Sequence, residues 1–511
     1  MAKKLSEKLS FRHQTNNVLN FIEGNWWAWV ILAVVVTYVV IMLLARGQSI
    51  WFDEGYSIMI AQKPIDQLLA LTAVDAHPPF YYLLLKAWAG VFGWSEFALR
   101  SLSAGAAAIT VGVALLLIRR LFTTRVALVV LPFLIVSPFF LRYGYEIRMY
   151  AVVGLIGVLA TWVLVRAVES GRTRWWVGYA VLVALGMYTL YMSVVIWLAH
   201  FVWLTVRTFQ HKQSLIQQKW FIAYIGAVAL FVPYLPIFAD QTFNSALPGI
   251  GGPLTIEKLS GILGLMISYT PSWQIGGVLS LGLLTVIGLG IYLAVFVWKQ
   301  SAAGQRQNLQ LMFYCVGVPL VFYILVSLLP RPFFIDRYMA HVAVFIYALL
   351  GIILALGWRH GKRIIATLFG GLVIILLSFG VLRLQDTGNF NFERMQLPMT
   401  TELRQSISCT DNTVIVADDP YTYIDSHYYF AECDLRFYSK QPVANRGGYA
   451  LLGDSSARLA SSNGLAASSL IHLRWDSKPA LFQPDGRYSL VQSLTYDNQV
   501  VDRYERVTSA E

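Results

Sequence analysis

Charge is scarce in this chain of 511 residues: 13% are Asp, Glu, Lys or Arg, where soluble proteins average about 25%. With several apolar runs of bilayer length, that shortage excludes a soluble protein and predicts a polytopic α-helical membrane protein. Cysteine is nearly absent as well. Three cysteines cannot build a disulfide scaffold or a zinc ribbon. Cys315 lies in an apolar run and reads as packing. Cys409 and Cys433 fall in a polar C-terminal region, where a disulfide is permitted if that region faces an oxidising compartment. Also missing are a Walker loop, HExxH, GxSxG and clustered Cys/His spacing. Asp418-Asp419 precedes Pro420 at a strand end and reads as a turn, not a metal pair. The formal net charge is +11, but Lys and Arg collect in cytoplasmic loops of membrane proteins, so no nucleic-acid partner is expected. The basic start (Lys3, Lys4, Lys8, Arg12) leads into a full-length span and not into a cleavable signal.

Positive charge orients the chain. Residues 1–25 are placed in the cytoplasm, and Trp26–Ala45 exits. Arg119, Arg120 and Arg125 return the chain to the inside, so an odd number of crossings separates them from Arg46. Phe80–Phe92 is short, carries Lys86 and follows Pro78-Pro79, so it is read as an interfacial helix on the outer face. Ser101–Ile118 is then the second span. Val126–Leu141, Met149–Val165, Trp175–Leu190, Met192–Val206, Trp220–Phe238, Ile275–Trp298, Leu311–Leu329, His341–Gly357 and Ile364–Leu382 follow, making about eleven spans in a domain covering residues 26–382. The segment 46–100 becomes a first outer loop with interfacial helices. Residues 383–511 are polar, with strand-length apolar runs at Thr413–Ala417, Tyr488–Thr495 and Gln499–Arg506, and read as a small extracytoplasmic α/β domain. Ser455–Ser469 reads as helix or loop.

This threading puts Asp53, Glu54, Asp75, Glu96, Glu146 and Asp336 on the outer face, with Arg100, Arg142, Arg148, Arg331 and Arg337. Ionised groups beside hydrocarbon are costly and are usually used. Asp53-Glu54 in Trp51–Ser57 (WFDEGYS) is the leading pair, since a carboxylate there can take a proton from a hydroxyl; the plainer alternative is an exposed loop pair. Asp75 and His77 precede Pro78-Pro79. They read as hydrogen-bonding groups for phosphate or sugar, or as a helix cap and a satisfied loop histidine. Tyr81, Tyr82 and Trp88 suit a membrane interface without further role. Arg100 either snorkels or neutralises a phosphate or a site acid. Arg142 through Tyr150 packs arginines, tyrosines and Glu146 into nine residues. Here Glu146 and Arg148 would simply pair with each other, or Tyr143 and Tyr150 would contact a sugar. In the segment Pro330–Tyr338 an arginine such as Arg337, with Tyr338 beside it, suits clamping of a phosphate, or the segment is an aromatic-belt loop with basic anchors.

In order, WFDEGYS, DAHPPFYYLLLKAW, FALRSLSA, SPFFLRYGYEIRMY and DRYMAHV resemble the GT-C glycosyltransferases, especially bacterial relatives of protein O-mannosyltransferases and the lipid A aminoarabinose transferase. The resemblance covers about residues 26–380. It implies an enzyme of the cytoplasmic (inner) membrane that moves a sugar from a polyprenyl-phosphate carrier to a hydroxyl of a glycan, lipid or protein acceptor at the outer face, among membrane lipids. Asp53 would be the catalytic carboxylate, with Glu54 beside it. Asp75 and His77 would lie near the donor phosphate, and Arg100 would match the arginine opening the second span. Glu146 and Arg148 would scaffold the site or touch substrate, and Arg337 would meet the carrier phosphate. Inversion at the anomeric carbon is expected. No metal or other cofactor is expected, because fixed arginines can stabilise the departing phosphate, and a nucleotide-sugar donor is disfavoured. The mannosyltransferases usually read HPPLGK where this chain has HPPFYY, which weakens mannose and a protein hydroxyl as the substrates. The rival reading is a lipid-linked sugar transporter or flippase without catalytic activity, which would need polar residues through the spans toward both faces; a third is a structural or assembly protein whose outer domain binds partners.

Overall fold

The computed structural model describes residues 20–244, 255–328, 335–387, 399–410, 412–453, 455–463 and 465–507. The loop around Pro248-Gly249 and the stretch from Pro330 through Arg331 lie outside them.

Among the described residues each expected span is helical, with Val126–Leu141 divided between two helices and Trp220–Phe238 interrupted by a 3-10 turn. In chain order the helices are α1 (Trp26–Ala45), α2 (Phe52–Gln62), α3 (Ile65–Val74), α4 (Phe80–Phe92), α5 (Glu96–Leu121), α6 (Thr124–Ile135), α7 (Pro138–Tyr145), α8 (Tyr150–Ser170), α9 (Thr173–Thr189), α10 (Val194–Gln210), α11 (Lys219–Phe231), α12 (Leu235–Asn244), α13 (Ile256–Ser268), α14 (Gly277–Gln300), α15 (Ala303–Ser327), α16 (Ala343–Arg359) and α17 (Arg363–Thr387). Among the described residues, eight helical segments are long and apolar enough to cross a bilayer, and nine if α6 and α7, bent by 64° at their junction, form one. The other two expected spans, α9 and α16, have 17 residues each, at the lower limit for spanning. Pro138 opens α7 and accounts for the break after α6. Helix α17 runs past Leu382 to Thr387.

The C-terminal part adds α18 (Thr401–Ser406), α19 (Pro420–Phe430) and a six-stranded mixed sheet of order β3-β2-β1-β4-β6-β5. Its strands are β1 (Thr413–Ala417), β2 (Asp434–Tyr438), β3 (Arg458–Leu459), β4 (Ser469–Trp475), β5 (Tyr488–Tyr496) and β6 (Gln499–Arg506). Strand β1 is parallel to β2 and β4 and buried on both faces, as an unbroken apolar run requires. Strands β5 and β6 form the expected hairpin. Asp419 caps α19 by accepting from the Thr422 N–H at 2.7 Å, so the Asp-Asp-Pro turn starts a helix. Asp418 accepts from the Leu481 and Phe482 N–H groups and pairs with His472. Among the described residues of Ser455–Ser469, only the two of β3 and Ser469, which opens β4, are strand, and none is helix. A disulfide joins Cys409 to Cys433 across a Cα separation of 5.7 Å.

The sheet domain grips the first loop. Phe52 stacks on Tyr421 with ring centres 4.4 Å apart. The Tyr429 hydroxyl donates to Glu96 at 2.9 Å and accepts from the Ile50 N–H at 2.7 Å. Arg404 pairs with Glu96 at 3.3 Å. Gly55 shows how tight the fit is: a Cβ there would stand 2.6 Å from the Ile424 carbonyl oxygen of α19. Gly55→Ala must therefore push α2 away from α19. We expect a loss of about 1–3 kcal/mol, the usual cost of overpacking, read as a lower unfolding midpoint in detergent. A midpoint equal to that of the wild type would show that the two helices separate freely.

Candidate active site

Helix α2 starts at Phe52 because Glu54 turns back on its own N-terminus, accepting from the Trp51 N–H at 3.4 Å. The same carboxylate accepts from the Ile147 N–H at 3.1 Å and pairs with Arg100 at 3.0 Å. Arg100 also donates to the carbonyls of Ala45, Gln48 and Ser49. Acid and base are 0% and 2% exposed. This buried pair ties the end of α1, the start of α2, the start of α5 and the turn before α8 together. Of the roles the sequence left open for Arg100, the structure brings it to an acid. Its guanidinium is taken up by Glu54, by Glu96 at 3.5 Å and by the backbone.

Asp53, one residue earlier, points elsewhere. Its carboxylate lies 3.2 Å from Arg337 Nη1 and 4.0 Å from Arg148 Nε, and is 13% exposed. Arg148 donates to the Ser57 hydroxyl and the Tyr82 hydroxyl, each at 3.3 Å. Ser57 in turn donates to the Asp53 carbonyl at 2.8 Å. Arg337 is 19% exposed and stands 6.0 Å from the Trp51 ring centre. It follows Asp336, whose carboxylate accepts from the Arg337 N–H at 2.7 Å. Residues 53, 148 and 337 are remote in sequence and meet at one end of the bundle, where α1 and α7 end and α5, α8 and α16 begin.

The remaining candidates surround this centre. Asp75 ends α3 and is buried. Burial raises its carboxyl to about 6 despite the Ala76 N–H and the nearby Arg148 cation. His77 is held neutral: burial, then the Arg148 charge, bring its imidazole down to about 3, against the pull of Asp53. Glu146 is raised to about 7, chiefly by burial, with Arg142 opposing. Tyr143 and Tyr150 meet edge to face at 5.3 Å. The Tyr150 hydroxyl and Glu146 Oε1 are buried without a hydrogen-bond partner among the described residues, an unmet capacity that a polar ligand can use. Tyr338 contributes its backbone carbonyl to the Tyr323 hydroxyl.

Two expectations are corrected. Glu146 pairs with Arg142 at 3.1 Å, one helical turn earlier, and not with Arg148, which turns toward Asp53. Tyr81 and Tyr82 are fully buried in protein and offer no ring to lipid headgroups, and the Tyr82 hydroxyl accepts from Arg148. Sequence reasoning also passed over Ser57, which lies one turn beyond Asp53 on the same helix face.

Asp75 carries a pH signature. Its folded value near 6 lies above that of a free carboxyl, 3.8. Its protonation therefore stabilises the fold fully below about pH 4, and that contribution is lost as pH rises through 6. A shift of this size is worth about 3 kcal/mol. Asp75→Asn should reduce the wild-type loss of stability between pH 4 and 7 by about that amount, measured by thermal unfolding across pH. Parallel profiles for the two proteins would contradict this assignment.

Comparison with known proteins follows the same geometry. The structure of ArnT from Cupriavidus metallidurans in the apo state superimposes with a TM-score of 0.61 at 12% identity, covering 94% of this chain and 98% of that one. The same protein bound to undecaprenyl phosphate gives 0.58 at 13% identity, covering 93% and 98%. The fold is that of ArnT. A family model described as dolichyl-phosphate-mannose-protein mannosyltransferase matches residues 76–237, from the loop carrying His77 into α12. Among curated proteins, no sequence matches.

Proposed function

We propose that this GT-C protein is a glycosyltransferase that moves a sugar from a polyprenyl-phosphate carrier to an acceptor hydroxyl, with inversion, at the outer face of the cytoplasmic membrane. The observation that carries this reading is the partly exposed Asp53 carboxylate between Arg337 and Arg148. The ArnT structure holding undecaprenyl phosphate and the mannosyltransferase family model support the same donor class. The Cys409–Cys433 disulfide suits an extracytoplasmic C-terminal domain.

In this mechanism Asp53 accepts the proton of the acceptor hydroxyl. The hydroxyl oxygen forms a bond to the anomeric carbon as the bond from that carbon to the phosphate oxygen breaks. The bonding pair leaves with the polyprenyl phosphate. Arg337, the more exposed of the two cations, moves from Asp53 to the phosphate, and neutral His77 donates a hydrogen bond to it. Glu54 and Arg100 hold the frame. The two arginines supply the charge that a metal would otherwise provide, so turnover should persist in chelator.

The test is incubation of the purified protein with hexose and pentose phosphopolyprenols and candidate acceptors, following release of free polyprenyl phosphate. Arg337→Ala should lower turnover by about 10²–10³-fold, the usual effect of removing a group that stabilises developing negative charge. Binding of every donor without turnover of any would refute the enzymatic reading.

A further inference from the structure

A cavity lies at the end of the bundle opposite the candidate site. Helix α16 leads from the neighbourhood of Arg337 to Arg359, so its far end is about 25 Å from the candidate site at 1.5 Å per residue. There α6, α16 and α17 enclose a groove of about 1160 Å³. Its rim carries Arg125, Arg359 and Arg363, and its wall is apolar, with Val129, Phe133 and Ile374. Gly371 lines it, and a Cβ there would meet nothing within 4 Å.

The three arginines differ from their neighbours at this end. Arg120 pairs with Glu169, and Arg207 donates to Gln307. No side-chain hydrogen bond or ion pair engages Arg125, Arg359 or Arg363 among the described residues. Glu23, the acid in the lining, pairs with none of them. The N-termini of α6 and α17 open at the same rim and add partial positive charge. The chain's own first residues are no complement to this site, since Lys3, Lys4, Lys8 and Arg12 outnumber Glu7.

We propose that this groove binds an anionic glycerophospholipid of the leaflet opposite the candidate active site, with the phosphate among Arg125, Arg359 and Arg363 and an acyl chain along Phe133, Ile374 and Gly371. Loose basic residues at a membrane surface attract anionic lipid in general. A formed groove with an apolar floor makes the binding saturable and stoichiometric.

Full-length protein, delipidated in detergent, is titrated with phosphatidylglycerol, and bound lipid is counted by native mass spectrometry. Phosphatidylcholine, inorganic phosphate and undecaprenyl phosphate are run in parallel. Saturable, preferential retention of phosphatidylglycerol is expected. Combined Arg125→Ala, Arg359→Ala and Arg363→Ala should weaken it roughly 100-fold, at about fivefold per arginine. Gly371→Leu, which fills the floor and leaves the rim intact, should reduce retention independently. Undecaprenyl phosphate binding should survive in both variants. Equal retention by wild type and variants would overturn the proposal. So would competition by inorganic phosphate at similar concentration, or loss of undecaprenyl phosphate in the rim variant.

Discussion

An Asp53→Asn variant should fold and insert normally, retain donor binding, and turn over about 10²–10⁴-fold more slowly than the wild type, the range that a positioned general base contributes. Asparagine keeps the shape of the side chain but cannot take up the acceptor proton. The side chain is partly exposed and its cationic neighbours reach other groups, Arg148 holding Ser57 and Tyr82, so the fold does not depend on its charge. Single-turnover rates and donor affinities measured on the same preparation separate the chemical step from binding. A variant that keeps the wild-type rate would remove Asp53 from the chemistry.

The neighbouring carboxylate should respond in the opposite way. Glu54→Ala strips the partner from Arg100 where both groups are buried, and leaves the Ile147 and Trp51 N–H groups without their acceptor. Breaking a buried ion pair from one side costs about 3–5 kcal/mol. A large drop in the unfolding midpoint and in the yield of inserted protein is therefore expected. Glu54→Gln retains the hydrogen-bonding shape and should recover much of that stability. Any preparation of Glu54→Gln that is folded should retain more turnover than Asp53→Asn. If Glu54→Gln were fully stable yet as inactive as Asp53→Asn, Glu54 would belong to the chemistry and not to the frame.

The contrast between these adjacent acids marks what could be read from the sequence. Helices were legible because runs such as Trp26–Ala45 are too long and apolar for anything but a span. Even Phe80–Phe92 keeps its expected limits as α4. The polar clusters were legible as clusters, because charge beside hydrocarbon is rare. Their pairing was not. Glu54 meets Arg100 and Asp53 meets Arg337 only through helix packing between segments far apart in the chain. Glu146, the residue that ends α7, lies four positions after Arg142 and meets it, while Arg148 turns to Asp53 beyond the break in the helix. In the sheet domain, TVIVA and the final hairpin carried strand signals. Strand β2 (DLRFY) mixes charge into its run, and α19 (PYTYIDSHYYF) opens with proline and aromatics that hide its period. Gly55 gave no sign of its reason, because the Ile424 carbonyl that excludes a side chain there comes from the other domain.

The most direct test is the coupling between Asp53 and Arg337 in transfer itself. Rates are measured for Asp53→Asn, Arg337→Ala and the double variant with one phosphopolyprenol donor and one acceptor. Asp53 on the acceptor hydroxyl and Arg337 on the departing phosphate act in one transfer step, so the double variant should be far less impaired than the product of the two single losses. Losses that multiply without coupling, or single variants as fast as the wild type, would contradict a shared site at the mouth of this bundle.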